Sequence, residues 1–270
     1  MAARILCLLL ALLFSTSAEA RVMLAAHVPT LQEITKSFPP EMLYQGKPID
    51  PACVEASNPT EGEAAPQDLK TCAHPPEDAK IMHGLQIAKD GALGYDYECT
   101  EEDKTQFCGH VGYRYLGPVK DGFALETQST NGGTGSFDSI VVAKREGDIF
   151  TTTLLHPTGD RCNGGVTDVR VADGKVEYSY NATAAELYDQ YKASGSFDGY
   201  ADSPLDCMAV IHKTDDAVTS IELNRSEAQL ANDPPCAAKA YRAQVKTMGK
   251  SLSEDQVKIL MTKIENACAE

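Results

Sequence analysis

The connection at residues 156–163 brings together side-chain types that catalysis needs. It holds a possible base, a carboxylate, a guanidinium and an amide, in His156, Asp160, Arg161 and Asn163. Connections presented by a rigid sheet commonly carry function. In a hydrolase, His156, Asp160 and Arg161 are the expected catalytic residues. In a binding protein, His156, Arg161 and Asn163 are expected to contact the ligand. The alternative is a turn whose Asp and Asn side chains bond their own backbone.

A row of tyrosines is the second candidate binding site. Residues 93–99 and 111–115 alternate between apolar and polar, which predicts two β-strands. Matching their apolar faces places Tyr97 opposite Val111 and Tyr95 opposite Tyr113, with a bulge at Gly109. The residues that then share one face are Tyr95, Tyr97, Tyr113 and Tyr115. An exposed row could stack on a sugar or a peptide, whereas a buried row would be core.

The common catalytic and cofactor motifs are missing from the sequence. It contains no Gly-x-Ser-x-Gly, His-Glu-x-x-His, calcium-loop or dinucleotide pattern, and no Gly-Lys-Ser/Thr follows the glycines of 131–135. Cys72-Ala-His74 and Cys108-Gly-His110 repeat a spacing that could hold zinc. An oxidising compartment favours disulfides over zinc, so we expect neither a metal nor a cofactor.

The N-terminus predicts export. Arg4 precedes an apolar run at residues 5–14, and Ala18-Glu19-Ala20 has the small-x-small pattern of secretory cleavage sites. We therefore expect residues 1–20 to be a signal peptide, cleaved near Ala20. The run is too short for a membrane helix, so no membrane insertion is expected. The mature protein should be soluble, and periplasmic or extracellular.

The charge balance limits the partners. The formal net charge of −15 would repel nucleic acid and anionic membranes. A basic protein or a small ligand is the partner that this charge allows. Asn181 and Asn224 open Asn-x-Thr and Asn-x-Ser glycosylation motifs, which matter only in a eukaryotic secretory route.

The cysteines predict which parts of the chain are crosslinked by disulfides. Eight of the nine cysteines remain once the leader is removed, and an even number in an exported chain implies disulfides. Spacing does not fix the connectivity, but the neighbouring elements favour sequential pairing. The predicted bridges are Cys53–Cys72, Cys99–Cys108, Cys162–Cys207 and Cys236–Cys268.

The elements that would position these residues are mainly β-hairpins. Asp173-Gly174 is a two-residue turn that pairs Val171 with Val176 and Val169 with Tyr178, and would pair Thr167 with Tyr180. Further strands are expected at 123–130, 139–144 and 149–155. A last hairpin at 207–224 should turn at Asp215-Asp216. The expected pairs there are Met208 with Leu223 and Val210 with Ile221. His212 should lie at the solvent-exposed end of the inward face.

Helices are expected at both ends and after the central hairpin. Residues 30–38 should form a short helix, and a Thr183–Glu186 capping box should start another that ends at Tyr191. Pro234-Pro235 and a Ser253–Gln256 capping box should start two C-terminal helices. The fold class is therefore α+β, with a disulfide-braced antiparallel sheet at 91–224 and a helical hairpin at 234–268. The expected divisions are a Pro-rich arm with a short helix at 21–90, a β domain at 91–230 and a packed helical hairpin at 231–270.

Two functional classes follow from these patterns. The first is a non-catalytic binding or inhibitory protein that acts in the periplasm or outside the cell. The second is an exported hydrolase that uses the 156–163 connection. The missing catalytic motifs favour the binding protein.

Overall fold

The computed structural model describes residues 30–58, 65–72, 80–81, 84–88, 90–98, 109–130, 135–192 and 205–269. Within these ranges the chain has an α+β fold with antiparallel sheets, as the sequence predicts. The helices are α1 (Leu31–Ser37), α2 (Pro51–Ser57), α3 (Ala184–Tyr191), α4 (Glu227–Leu230), α5 (Pro235–Met248), α6 (Glu254–Cys268) and a 3-10 turn (Pro40–Met42). The strands are β1 (Leu43–Tyr44), β2 (Lys47–Pro48), β3 (Gln67–Asp68), β4 (Lys80–Ile81), β5 (Gln86–Ile87), β6 (Leu93–Glu98), β7 (Gly109–Val119), β8 (Gly122–Thr130), β9 (Phe137–Glu146), β10 (Ile149–Gly159), β11 (Val166–Ala172), β12 (Lys175–Thr183), β13 (Cys207–Thr214), β14 (Ala217–Leu223) and β15 (Ser251–Leu252).

The first sheet has eight strands and an apolar face that the N-terminal segment covers. Its order is β3-β10-β9-β8-β7-β6-β4, and β5 also pairs with β6. Alternate residues of the central strands point to the covered face, where Leu125 and Phe150 are fully buried. Met42, Ile49 and the α2 helix pack against them. The N-terminal segment, residues 38–54, therefore completes this core.

The register of the tyrosine hairpin differs from the prediction by two residues. Tyr95 lies opposite Val111, Tyr97 opposite Gly109 and Leu93 opposite Tyr113, with no bulge at Gly109. A two-residue shift keeps every side chain on the same face, so facing direction alone could not exclude it. A Cβ atom at residue 109 would lie 2.5 Å from the Tyr97 ring, so the observed register needs glycine there.

The second sheet has the order β11-β12-β13-β14-β15 and contains the predicted Asp173-Gly174 turn. Both turn residues have positive φ, 51° for Asp173 and 72° for Gly174. Val169 pairs with Tyr178, as predicted. A bulge before Asp168 places Val166 opposite Tyr180, so the prediction for Thr167 is wrong. Thr167 is exposed.

One apolar face of the second sheet packs on two different layers. At β11 and β12, Val169, Val176 and Tyr178 pack on Ala124 and Ile140 of the first sheet. At β13, β14 and β15 the same face packs on α3, α5 and α6. The opposite face carries polar side chains. This sheet therefore joins the first sheet to the helices.

The predicted register of the last hairpin is wrong because of one extra residue. The strands pair as predicted next to the Asp215-Asp216 turn, but Thr219 bulges between Val218 and Ser220. A one-residue slip exchanges the two faces of a strand. The observed pairs are Ala209 with Leu223, Val210 with Glu222 and Ile211 with Ile221, so His212 lies on the polar face and not on the inward one.

α3, α5 and α6 begin at the predicted signals, whereas α2 and α4 were not predicted. Thr30, Thr183 and Ser253 each accept a hydrogen bond from the backbone of the third helical residue, which completes a capping box. α5 begins at Pro235 and ends at Gly249, which has a φ of 80°. β15 was not predicted; it lies between α5 and α6 and pairs with β14.

Three disulfides join separate elements in the described part of the chain. Cys53–Cys72 ties α2 to the segment after β3, Cys162–Cys207 joins the connection after β10 to β13, and Cys236–Cys268 links α5 to α6. These predicted pairs are confirmed, while Cys99 and Cys108 lie outside the described residues. Because Cys72 is disulfide-bonded, it is not free to join a zinc site. The disulfides are compatible with an exported protein.

Helices in the described ranges are all too short or too polar to span a lipid bilayer.

Candidate functional site

The tyrosine row lies largely inside the first core. Tyr95 and Tyr113 are buried, whereas Tyr97 and Tyr115 are half-buried. The hydroxyl groups of three of them bond the N-terminal segment, and Tyr113 donates to the Ile49 carbonyl (2.7 Å). The remaining bonds of this kind are Tyr95 to Asp50 and Tyr115 to Glu41. Burial, with help from the Glu41 carboxylate, raises the pKa of Tyr115 to about 12. These contacts attach the N-terminal segment to the sheet.

His156 is buried between the sheets. Its ring centroid lies 4.3 Å from that of Tyr180 and 5.6 Å from that of Tyr178. Its Nε2 lies 2.6 Å from the Gly164 carbonyl oxygen, a contact that requires a proton on Nε2. Burial lowers the pKa of His156, and the bond to Gly164 only partly opposes this effect. The neutral imidazole therefore braces the connection that follows it.

The rest of the predicted connection forms a tight turn. The backbone amides of Asp160 and Asn163 each donate to the other residue's carbonyl, at 2.8 and 2.9 Å. Arg161 is exposed with a positive φ of 52°, and its carbonyl accepts a hydrogen bond from the Asn181 side chain. The neighbouring Cys162 fixes the turn to β13. Within the turn, the Arg161 Nε also lies 3.8 Å from an Asp160 oxygen, a long ion pair.

A polar cluster occupies the face of the first sheet that is turned toward the second sheet. Arg114 and Glu126 lie directly opposite on β7 and β8, and the Arg114 Nε is 2.7 Å from a Glu126 oxygen. Asp138 lies diagonally across on β9, and its Oδ1 is buried without a hydrogen-bond partner in the described part of the chain. Burial and the charges of Glu126 and Asp160 raise the pKa of Asp138 to about 6. This carboxyl can exchange a proton at mildly acidic pH.

A carboxylate and a histidine extend this polar cluster onto β6. Asp96 and His110 face each other across β6 and β7, with 2.8 Å between Asp96 Oδ1 and His110 Nδ1. The imidazole lies over the cross-strand pair Gly94 and Gly112. A Cβ atom at either glycine would lie 2.9 Å from the ring. Glycine at both positions is therefore needed for this orientation of His110.

A cleft opens beside this polar cluster. Its volume is about 480 Å³, and its described lining comes from β7, β11, the β5–β6 connection and Phe38. The lining residues are Phe38, Ile87, Asp90, Gly91, Arg114, Tyr115, Leu116, Val169 and Arg170. The cleft combines apolar side chains with two arginines and one carboxylate, so it can hold a group that is partly apolar and partly charged.

Sequence reasoning missed both the cluster and the cleft. His110, Arg114, Glu126 and Asp138 occupy alternate positions that resemble an ordinary solvent-facing side. Gly94 and Gly112 are the sequence feature that could have indicated the polar cluster, because an isolated glycine in a strand marks the close approach of another group. Only the packing of one sheet over the other shows that this side is partly enclosed.

Comparison of the chain with family models, curated proteins and solved structures found no match.

Proposed function

We propose that the protein is exported and is a binding or inhibitory protein, whose non-catalytic site takes an extended segment of a basic partner protein into the cleft. The observation that carries this proposal is that the cleft lies between two strand edges. β6 pairs with β7 only from Gly109 to Tyr113, so residues 114–119 of β7 have no strand on that side among the described residues. β11 is the first strand of its sheet, and its outer edge is likewise unpaired there.

Unpaired strand edges are suited to strand addition. Their backbone amides and carbonyls can form a ladder with an extended chain, while pockets between alternate residues give specificity. Leu116 and Val169 supply apolar surface for the side chains of such a segment. Asp90 is exposed at the cleft and can attract a lysine or an arginine, since the two cleft arginines are already paired with Glu126 and Glu177.

The charge of the whole chain supports a basic partner. The net charge of −15 attracts cationic proteins over a distance set by the ionic strength, which speeds their encounter. The leader-like N-terminus and the three disulfides support an extracytoplasmic place of action. Electrostatic attraction brings the partner to the protein, and the cleft then selects the segment that fits.

Synthetic peptides test the proposal directly. The panel contains peptides of about six residues, the usual strand length, in which lysine alternates with valine or leucine. We expect at least one peptide to bind in isothermal titration calorimetry, with an affinity that falls as salt is added. The same peptide with alternate backbone amides methylated should not bind, because it can no longer donate the ladder hydrogen bonds.

Two charge reversals locate the binding site. Asp90→Lys should weaken peptide binding by about tenfold, since it places a like charge at the cleft. The control Asp255→Lys makes the same charge change on α6, where the side chain is 91% exposed and does not line the cleft. An equal loss in both variants, or no binding by any peptide, would refute a site in the cleft. Thermal unfolding confirms that both variants fold.

A small ligand is the second candidate for the cleft. A volume of about 480 Å³ falls within the range of small-molecule sites, roughly 300 to 1,000 Å³. Titration with small amphipathic anions would separate this function from peptide binding. The hydrolase that would use the 156–163 connection stays a prediction, which His156→Ala tests by its effect on turnover.

A further inference from the structure

The outer face of the second sheet carries a polar row that crosses four strands. Asp168 of β11 lies opposite Ser179 of β12, Ser179 lies opposite His212 of β13, and His212 lies opposite Ser220 of β14. Facing residues on adjacent strands bring their Cβ atoms to about 5 Å, which is within reach of a hydrogen bond between short side chains. The row lies on the face opposite the one that packs on the first sheet and the helices.

Ser179 and His212 are in direct contact. The Ser179 Oγ lies 2.7 Å from the His212 Nδ1. The tautomer with its proton on Nε2 makes Nδ1 the acceptor of the serine hydroxyl proton. On the other side of the ring, the Nε2 lies 3.9 Å from a Glu222 oxygen, a charge contact that is longer than a hydrogen bond. The Ser179 hydroxyl, the His212 imidazole and the Glu222 carboxylate therefore lie next to one another in that order.

A shallow depression gives access to this group. Its volume is about 290 Å³, and both Ser179 and His212 line it. Asp168, Arg170 and Glu177 also line it, whereas the Lys213 ammonium lies over the Tyr178 ring. His212 and Glu222 remain partly open to water, with side-chain exposures of 35% and 59%. Ser179 itself is only 9% exposed, so the depression is the route by which a small polar molecule would reach its hydroxyl.

We propose that Ser179, His212 and Glu222 form a nucleophilic site that hydrolyses small, polar carboxylic esters. A nucleophile hydrogen-bonded to a base, with a carboxylate near that base, is an arrangement suited to acyl transfer. The three residues do not line the peptide-binding cleft, although the depression shares Arg170 with it, and their activity does not depend on that binding.

The reaction conserves atoms and charge in two steps. Ser179 Oγ attacks the ester carbonyl carbon while its proton passes to His212 Nδ1, and the imidazolium is stabilised by the Glu222 carboxylate. When the carbon–oxygen bond of the leaving alcohol breaks, His212 returns the proton to that oxygen, which leaves an acyl-serine. Water then attacks the acyl carbon, His212 takes its proton and passes it to Ser179 Oγ, and the carboxylic acid is released. Arg170, whose guanidinium also bonds Glu177, supplies positive charge near the oxyanion.

A fluorophosphonate probe tests the nucleophile on the full-length oxidised protein. The serine oxygen bonds to phosphorus, and fluoride leaves together with the hydroxyl proton. We expect mass spectrometry to find the label on Ser179, with none in Ser179→Ala. His212→Gln should slow labelling about 100-fold, in keeping with the loss of a general base. Hydrolysis of p-nitrophenyl acetate should fall in parallel.

Two further variants separate catalysis from structure. Ser220→Ala removes the hydroxyl on the other side of His212 and should label at the wild-type rate. Glu222→Gln leaves an exposed polar group in place and should slow labelling by about tenfold, since its charge contact is partly screened. Glu222→Gln also provides the test should His212→Gln not fold. Absence of labelling, persistence of the label in Ser179→Ala, or an unchanged rate in both His212→Gln and Glu222→Gln would overturn the proposal.

Discussion

Replacing Asp233 by asparagine should destabilise the protein by about 3 kcal/mol, because it leaves the buried Arg225 guanidinium with incomplete compensation. The Arg225 side chain is 1% exposed and the Asp233 side chain 5%. Burial alone would lower the pKa of Arg225, but the hydrogen bonds and charges of Asp233 and Asp206 raise it overall. The arginine therefore stays charged and needs both carboxylates.

The magnitude follows from the bonds that the substitution changes. Asp233 accepts hydrogen bonds from Arg225 through both carboxylate oxygens, one at 2.8 Å from Nε and one from Nη2. Asparagine keeps one acceptor oxygen, so one charge-assisted bond is lost, at about 1.5 to 3 kcal/mol. The other bond keeps its charged donor but loses the charge of the acceptor, which costs about 1 kcal/mol more. Asp206 keeps its two bonds to the guanidinium, so the cost falls at the lower end of the range for breaking a buried pair.

Urea unfolding followed by circular dichroism, with the disulfides intact, measures this change. The matched control Asp206→Asn should cost about 1 to 2 kcal/mol, because the Asp206 side chain is 32% exposed and water can replace part of its bonding. A cost below about 1 kcal/mol for Asp233→Asn, or a larger cost for Asp206→Asn, would show that burial of the charge does not set the energetics here.

Three further substitutions test separate parts of the fold. Replacing Cys236 and Cys268 together by serine should lower the free energy of unfolding by about 4 kcal/mol, because the bridge spans 32 residues; urea unfolding of the oxidised proteins checks this value. Gly94→Ala should cost about 1 to 3 kcal/mol, since its Cβ would lie 2.6 Å from a carbonyl oxygen, whereas Gly84→Ala has open space and should change little in the same assay. Asp138→Asn should raise the thermal midpoint at pH 7.5. The pKa of Asp138, about 6 when folded against 3.8 ordinarily, makes the wild type lose stability as the pH rises from about 4 to 6; melts across this range should show a smaller loss in Asp138→Asn, and an equal loss would contradict the assignment.

Features of the fold that depend on neighbouring residues could be predicted from the sequence. The Asp173-Gly174 turn needs only two residues that accept positive φ, and the Thr183 cap needs only Glu186 three positions later. Register further from a turn could not be predicted. The bulge at Thr219 follows from packing of both Ile211 and Ile221 against the helices, which no local pattern records.

The polar cluster and the cleft could not be predicted for a related reason. The 156–163 connection has chemically active side chains, but His156 is enclosed by tyrosines that lie more than twenty residues later in the chain. Glu126 and Asp138 resemble solvent-facing residues until the second sheet covers part of their face. Such groups become a site only through contacts between distant strands, and a single sequence does not encode those contacts as spacing.

The position of β15 makes the two borders of the second sheet unequal. By pairing with β14, Ser251 and Leu252 cover part of the far border, next to a helix pair that is crosslinked by Cys236–Cys268. Among the described residues, β11 has no such neighbour on its outer edge. A visiting strand should therefore add to this sheet at β11 rather than beside Ile221 and Glu222, which favours a discrete complex over end-to-end growth of copies into a fibre.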